Sequence, residues 1–141
     1  MNLKSYAPVF YFLLFAVILY IVHKLIFSFF GADLEIANFH YSLEYLYAFF
    51  AAVGVLIVFS LIMVFKTAPD FVGIAFLAAT TINLVFSYII ARPILAKTSG
   101  NIKIEKINFF VIFILFLLFK IIITAKMLKN SNENGEKPRI N

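Results

Sequence analysis

The sequence has no cysteine, and this absence removes a whole group of chemistries. Without a thiol, the 141-residue chain has no disulfide, no thiolate metal site, no catalytic cysteine and no lipoprotein anchor. Its five glycines are scattered, so none of them belongs to a glycine-rich loop of the kind that cradles phosphates. We therefore expect neither thiol chemistry nor a nucleotide-binding loop.

Charged residues are also scarce, at 13% of the chain, while 64% of the residues are hydrophobic. Soluble domains carry about 25% charged and roughly 45–50% apolar residues. A water-soluble fold of this length could not bury so much apolar surface, so the sequence predicts a one-domain integral membrane protein. The net charge of +5 is modest, and we expect a lipid bilayer as the partner and no nucleic acid.

Four apolar runs are long enough to cross a bilayer, whose hydrocarbon core of about 30 Å needs about 20 helical residues. A helix satisfies all of its backbone hydrogen bonds inside lipid. The first run is long and continues into His, Lys and Leu, so we interpret it as an uncleaved helix and not as a signal peptide. The predicted fold is all-α: four transmembrane helices in an up-down antiparallel bundle over residues 1–128, with helices at about 8–30, 45–65, 70–92 and 106–127.

Turn and capping residues predict where these helices begin and end. Ser42 is placed to cap the second helix, and Pro69 suits the first position of the third. Pro93, together with Gly100, is expected to end the third helix. The polar residues 129–141 are expected to form a disordered tail.

The orientation of the chain in the membrane is predicted from the small difference in basic residues between its two sides. The side that holds both termini has six basic residues and the other side has five. Lys4 and the free amine, set against the acidic first loop, favour cytoplasmic termini, whereas the basic loop at 92–106 favours the reverse. Codons for the abundant Phe, Ile, Lys and Asn are AT-rich, which favours a bacterial source and hence the inner (cytoplasmic) membrane. We expect both termini in the cytoplasm.

The residues that could carry chemistry are dispersed. His23 and His40 lie in different neighbourhoods and have no second ligand at metal spacing. The acids Asp33, Glu35 and Glu44 lie around the first loop without a nucleophile. We expect no catalytic residue, no metal site and no cofactor, and therefore no enzyme.

The third helix carries a polar stripe. Thr80, Asn83 and Ser87 follow the spacing i, i+3, i+7, which places them on one helical face. One interpretation is helix packing with interhelical hydrogen bonds. The other is a polar path or ligand site within the bundle.

Small residues predict where helices approach closely. On the second helix these residues are Ala48 and Ala52. On the third helix they are Gly73, Ala75 and Ala79.

Lys120 interrupts the apolar run of the fourth helix. One interpretation is that its ammonium extends along the helix to the interface near the tail. The other is an intramembrane contact, because side chains lean toward the N-terminus of their helix and Asn83 lies within reach in that direction. An intramembrane cation with a polar partner is a functional hypothesis by default, and such a contact also locks packing.

The segments "SLEYLYAFF", "VGIAFLAATTINLVFSYIIARPIL" and "EKINFFVIFILFLLFKIIITAKMLKN" resemble an uncharacterised family of small four-helix membrane proteins of flavobacteria and related Bacteroidota, a domain of unknown function. The resemblance covers roughly 42–130 and the general form of the first helix. Similar proteins carry a lysine in place of Asn83 and a glutamate in place of Lys120, which implies a salt bridge between two helices. An asparagine and a lysine can hydrogen-bond but cannot neutralise each other, so this chain favours a structural role for the pair.

The expected function is that of a non-enzymatic accessory, assembly or scaffold subunit of an inner-membrane complex. It would contact other membrane subunits or self-associate. The resemblance implies a link with F-type ATP synthase, whose genes lie near those of similar proteins. The alternative is a small oligomeric transporter or channel.

Overall fold

The computed structural model describes residues 3–31, 37–98 and 102–135. All four of its long helices have the length and apolar composition to cross a membrane. The prediction of an all-α four-helix bundle is confirmed. Short 3-10 helices at Leu3–Tyr6 and Pro69–Phe71 precede the first and third long helices. The long helices are α1 (Ala7–Phe29), α2 (Leu43–Thr67), α3 (Val72–Ala96) and α4 (Ile102–Gly135).

Helices α2 and α4 form the centre of the bundle. Helix α2 packs against the other three, and α4 packs against α2 and α3 but only sparsely against α1. The most apolar 18-residue stretch of each helix shows the difference. The share of that stretch buried inside the bundle is 33% for α2 and 39% for α4, but 11% for α1 and 17% for α3. The two outer helices therefore present most of their surface to lipid.

Aromatic rings fill the centre of the core. Phe116 of α4 is fully buried, and its ring centroid lies 5.7 Å from that of Phe12, 5.8 Å from that of Phe50 and 5.7 Å from that of Tyr47. Tilted and edge-on ring pairs at such distances are favourable. This cluster joins α1, α2 and α4 inside the bundle.

Gly54 makes this cluster possible. A Cβ at this position would overlap the Phe12 ring, which is itself fully buried. Close approach of helices through small residues is the usual means of packing in lipid. The sequence-based choice of small residues missed Gly54.

The small residues predicted to mediate close helix packing are exposed on α2, whereas on α3 two of the three pack against the core. Ala48 and Ala52 lie on the exposed side of α2 and make no packing face within one chain. A Cβ at Gly73 would meet no atom within 4 Å, so Gly73 mediates no close approach. Ala75 and Ala79 of α3 are half-buried and pack against the core.

The start of α2 follows the expected capping chemistry. Ser42 Oγ accepts a hydrogen bond from the backbone N–H of Tyr45 at 3.2 Å. Pro69 begins the 3-10 turn that leads into α3.

Two helix ends differ from expectation. Pro93 lies inside α3, which continues to Ala96, because Ala91 and Ile94 on either side of it are buried and hold the helix in place. The tail prediction is wrong for residues 129–135, where α4 continues as a helix with a Lys129–Glu133 pair at 3.8 Å. Residues 136–141 of the expected tail lie outside the described residues.

Substituting Gly54→Ala should lower the free energy of unfolding by about 1–2 kcal/mol. Overpacking costs typically 1–3 kcal/mol, while alanine gains up to about 1 kcal/mol in helix propensity over glycine. Thermal unfolding in detergent, followed by circular dichroism, measures the change.

Gly73→Ala is the matched control, because the added Cβ meets open space. Its melting temperature should be unchanged or raised. Equal destabilisation by both substitutions would show that contact with Phe12 is not the cause.

Candidate functional site

Leaving the tyrosines aside, every buried polar or charged side chain among the described residues lies on α3 or α4. Sequence reasoning singled out three of them and missed the other three. The six are Asn83, Ser87, Glu105, Asn108, Lys120 and Thr124.

Lys120 lies on the buried face of α4. It is only 2% exposed and is flanked along the helix by Phe116, Ile123 and Met127, which are buried as well. The side chain therefore does not extend to the interface, as one of the two interpretations required. No hydrogen bond or ion pair to its ammonium occurs within the described part of the chain. A lysine at the centre of a membrane helix costs about 2.5–3.5 kcal/mol on insertion scales.

Asn83 is 1% exposed, and neither atom of its amide has a hydrogen-bond partner among the described residues. The expected hydrogen bond between Asn83 and Lys120 is therefore not formed. Asn83 lies 13 residues from the end of α3 and Lys120 lies 18 residues from the start of α4. Lys120 is consequently about 7 Å deeper in the bundle. Asn83 also lines a groove formed by described residues of α2 and α3.

The polar atoms of the rest of the stripe are buried too. The hydroxyls of Thr80 and Ser87 have no hydrogen-bond partner within the described ranges. The exposed neighbour Thr81 differs, because its hydroxyl donates to the carbonyl of Leu77 at 2.9 Å. A buried polar group left unpaired costs about 1–3 kcal/mol. The stripe therefore retains unused hydrogen-bonding capacity.

A groove of about 400 Å³ between α2 and α3 is lined in part by Asn83, although both polar atoms of its amide are themselves buried. Small and medium side chains such as Val53, Ser60 and Ala79 line it. The Ser60 hydroxyl donates to the carbonyl of Leu56 at 2.8 Å, so Asn83 is the unsatisfied polar group in the wall. The groove can accept apolar surface, and a hydrogen bond to Asn83 would require its amide to turn toward the groove.

Glu105 lies near the start of α4, at the loop end of the bundle, where the connections before α2 and before α4 lie. It was not expected from the sequence. It is 1% exposed. It accepts a hydrogen bond from the backbone N–H of His40 and pairs with Lys97 Nζ at 3.1 Å. Lys97 also donates to the carbonyl of Asn38 at 2.7 Å. The pair thus ties the connection before α2 to the ends of α3 and α4.

A sequence signal for Glu105 exists. It precedes Phe109, Ile112 and Phe116 at intervals of four, three and four residues, which is the spacing of one buried helical face. The signal is hard to use in advance, because an acid near a helix start is equally typical of an exposed first turn.

A second polar group joins α1 to α2 at the same end. Lys24 Nζ pairs with Glu44 at 2.9 Å, and the hydroxyl of Tyr20 donates to the same carboxylate at 2.8 Å. The side chains of Lys24 and Glu44 are 60% and 55% exposed. Such surface pairs contribute about 0–1 kcal/mol. His23 Nδ1 lies 2.8 Å from the Tyr47 hydroxyl, so this histidine joins α1 to α2 as well.

Metal-binding clusters do not occur in residues 3–31, 37–98 and 102–135, where no three His, Asp or Glu side chains converge. Asp33 and Glu35 lie outside the described residues. His23, Glu44 and His40 take part in the two separate polar groups at the loop end, as described above.

Substituting Lys120→Met should leave the melting temperature unchanged or raise it. Methionine has a similar length and removes a buried cation without a partner. Phe116→Ala, one turn away on the same face, should instead lower the free energy of unfolding by about 3–5 kcal/mol. Melting curves of the two variants in the same detergent give the comparison. A loss in Lys120→Met as large as that in Phe116→Ala would show that the ammonium has a stabilising partner.

No family model, curated protein or solved structure matches the chain. The resemblance to small four-helix proteins of Bacteroidota therefore stays a prediction. A role for the protein has to be argued from its own grooves and buried polar groups.

Proposed function

We propose that the protein is a non-enzymatic accessory, assembly or scaffold subunit of a complex in the bacterial inner membrane. The observation that carries this proposal is the groove between α2 and α3, which holds the unpartnered amide of Asn83. Its occupant is a transmembrane helix, either of another subunit or of a second copy of the chain.

The physics of helix association in lipid supports this assignment. Lipid tails are as apolar as leucine, so helices associate through close packing and hydrogen bonds. Ala79 and Val53 leave room for close approach, and Asn83 would offer both a donor and an acceptor once its amide turns toward the groove. Hydrogen bonds of this kind contribute about 0.6 kcal/mol on average and up to about 1.7 kcal/mol. Packing along the groove would supply the rest of the affinity.

The dispersion of the polar groups favours a structural role over catalysis. Asn83 faces the α2–α3 groove, whereas Ser87 lines a separate groove against Phe109 and Phe113 of α4. Lys120 lies in the core of the bundle. An active site needs such groups to converge on one reacting atom.

Affinity purification from native membranes tests this function. The wild-type chain should copurify with a stoichiometric partner, and Ala79→Leu should reduce recovery of that partner at least fivefold because the larger side chain fills the groove. Ala78→Leu on the exposed side of α3 is the matched control and should leave recovery unchanged. Ala78→Leu should keep the wild-type melting temperature. Because Ala79 also packs against the core, the melting temperature of Ala79→Leu is measured alongside to separate loss of the partner from loss of the fold.

Purification of the chain alone, with no heterologous or identical partner, would contradict the proposal. The resemblance described above makes F-type ATP synthase the first complex to examine for the copurified partner.

A small oligomeric transporter or channel is the second candidate. The row formed by Thr80, Asn83 and Ser87 favours it, since unsatisfied polar groups suit a hydrated path. The grooves described for one chain lie at its surface, so a pore would have to form between copies. A homo-oligomer that conducts ions in liposomes would support this candidate over the first.

We also propose that both termini lie in the cytoplasm. The slight excess of basic residues on the terminal side supports this orientation. Reporter fusions after Phe65 and after Lys129 should then both give a cytoplasmic signal. Periplasmic signals at both sites would reverse the orientation, and opposite signals at the two sites would contradict the number of spans.

A further inference from the structure

The sparsely packed edge between α1 and α4 contains two grooves. The rings of Phe15 and Phe119 stack across this edge with centroids 4.1 Å apart and planes 4° from parallel. Both phenylalanines also line the groove on the terminal side of the stack, which we call the terminal groove. The other groove lies toward the loop end and has a volume of about 350 Å³.

The terminal groove matches one leaflet of a bilayer in length. It has a volume of about 620 Å³ and is lined along α1 from Pro8 to Ile18. At 1.5 Å per residue this distance is about 15 Å, half of a hydrocarbon core of about 30 Å. Leu14, Phe119 and Ile122 are among its apolar walls. These dimensions suit an acyl chain that runs parallel to the helices.

Two lysines lie at the outer end of the terminal groove. Lys4 and Lys126 line it together with Asn130, and no acidic side chain of the described residues does. Both lysines are exposed and form no ion pair or hydrogen bond within the described residues. They are therefore available to an anion from the surrounding leaflet.

Two other described lysines on the same side, Lys66 and Lys129, have partners. Lys66 Nζ lies 4.1 Å from the centroid of the Tyr6 ring, and Lys129 pairs with Glu133 at 3.8 Å. The groove toward the loop end has no lysine or arginine in its lining, where His23 and Asn108 are the polar residues. The terminal groove thus combines apolar walls with two available lysines. The described lining of the groove toward the loop end has apolar walls but no lysine or arginine.

We propose that the terminal groove is a binding site for an anionic glycerophospholipid. The phosphate lies between Lys4 and Lys126, and one acyl chain lies along the apolar walls as far as the Phe15–Phe119 stack. Lysine binds a phosphate as a point charge, and basic residues near a membrane surface attract anionic lipid. A zwitterionic lipid offers the same acyl chain without the net negative charge.

Native mass spectrometry of the full chain from mixed micelles tests the site, with equal amounts of phosphatidylglycerol and phosphatidylcholine added. The wild-type protein should retain phosphatidylglycerol preferentially. Lys4→Gln combined with Lys126→Gln should reduce that preference by roughly ten- to thirtyfold, given the attraction per basic residue.

Lys66→Gln combined with Lys129→Gln is the matched control. It removes the same charge from the same side of the membrane, but from lysines that already have partners, and should change the preference less than twofold. A second pair tests the apolar part: Ile122→Trp fills the groove and should displace the lipid, whereas Ile121→Trp points elsewhere and should not.

Equal retention of the two lipids by the wild-type protein would overturn the proposal. So would a lipid preference that falls equally in both double lysine variants, because general surface charge would then explain it. Inorganic phosphate added in excess should not displace phosphatidylglycerol. Displacement by phosphate alone would identify an anion site without a lipid component and would also overturn the proposal.

Discussion

The contact between Phe12 and Gly54 sets how closely α1 approaches α2, and the central packing of the bundle depends on it. The Phe12 ring occupies the space that a side chain at position 54 would take, and it reaches Phe116 on α4. Because lipid provides no hydrophobic driving force between helices, such close van der Waals packing has to supply much of the association energy. A single glycine therefore joins three helices.

Electrostatic interactions are arranged differently along the bundle. At the loop end, Glu105 and Lys97 form a pair that also fixes the connection before α2 through backbone groups. A buried charge of this kind is tolerated because its hydrogen bonds are satisfied. Deeper in the membrane, Lys120 and Asn83 have no such partners in the described chain. The ion pair at the loop end is thus hydrogen-bonded, whereas the polar groups in the middle of the bundle remain unused.

The two outer helices give the protein two kinds of surface. Helix α3 forms, with α2, a groove whose wall contains a buried amide, which suits another helix. Helix α1 forms, with α4, a groove that ends in two lysines without a partner among the described residues, which suits an anionic lipid. These surfaces lie along different edges of the bundle, so occupation of one leaves the other accessible.

The sequence by itself determined the class of the protein, the number of spans and the cap at Ser42, because apolar length and local hydrogen bonding decide these features. It also pointed to Asn83, Ser87 and Lys120 as unusual polar residues, since few such residues occur in apolar runs. Only the tertiary structure decided their neighbours. Rotation and depth of α3 and α4 separate Asn83 from Lys120, and core packing carries α3 past Pro93. Glu105, Gly54 and the lysine-ended groove acquire their roles from contacts between helices far apart in the chain, which no local pattern specifies.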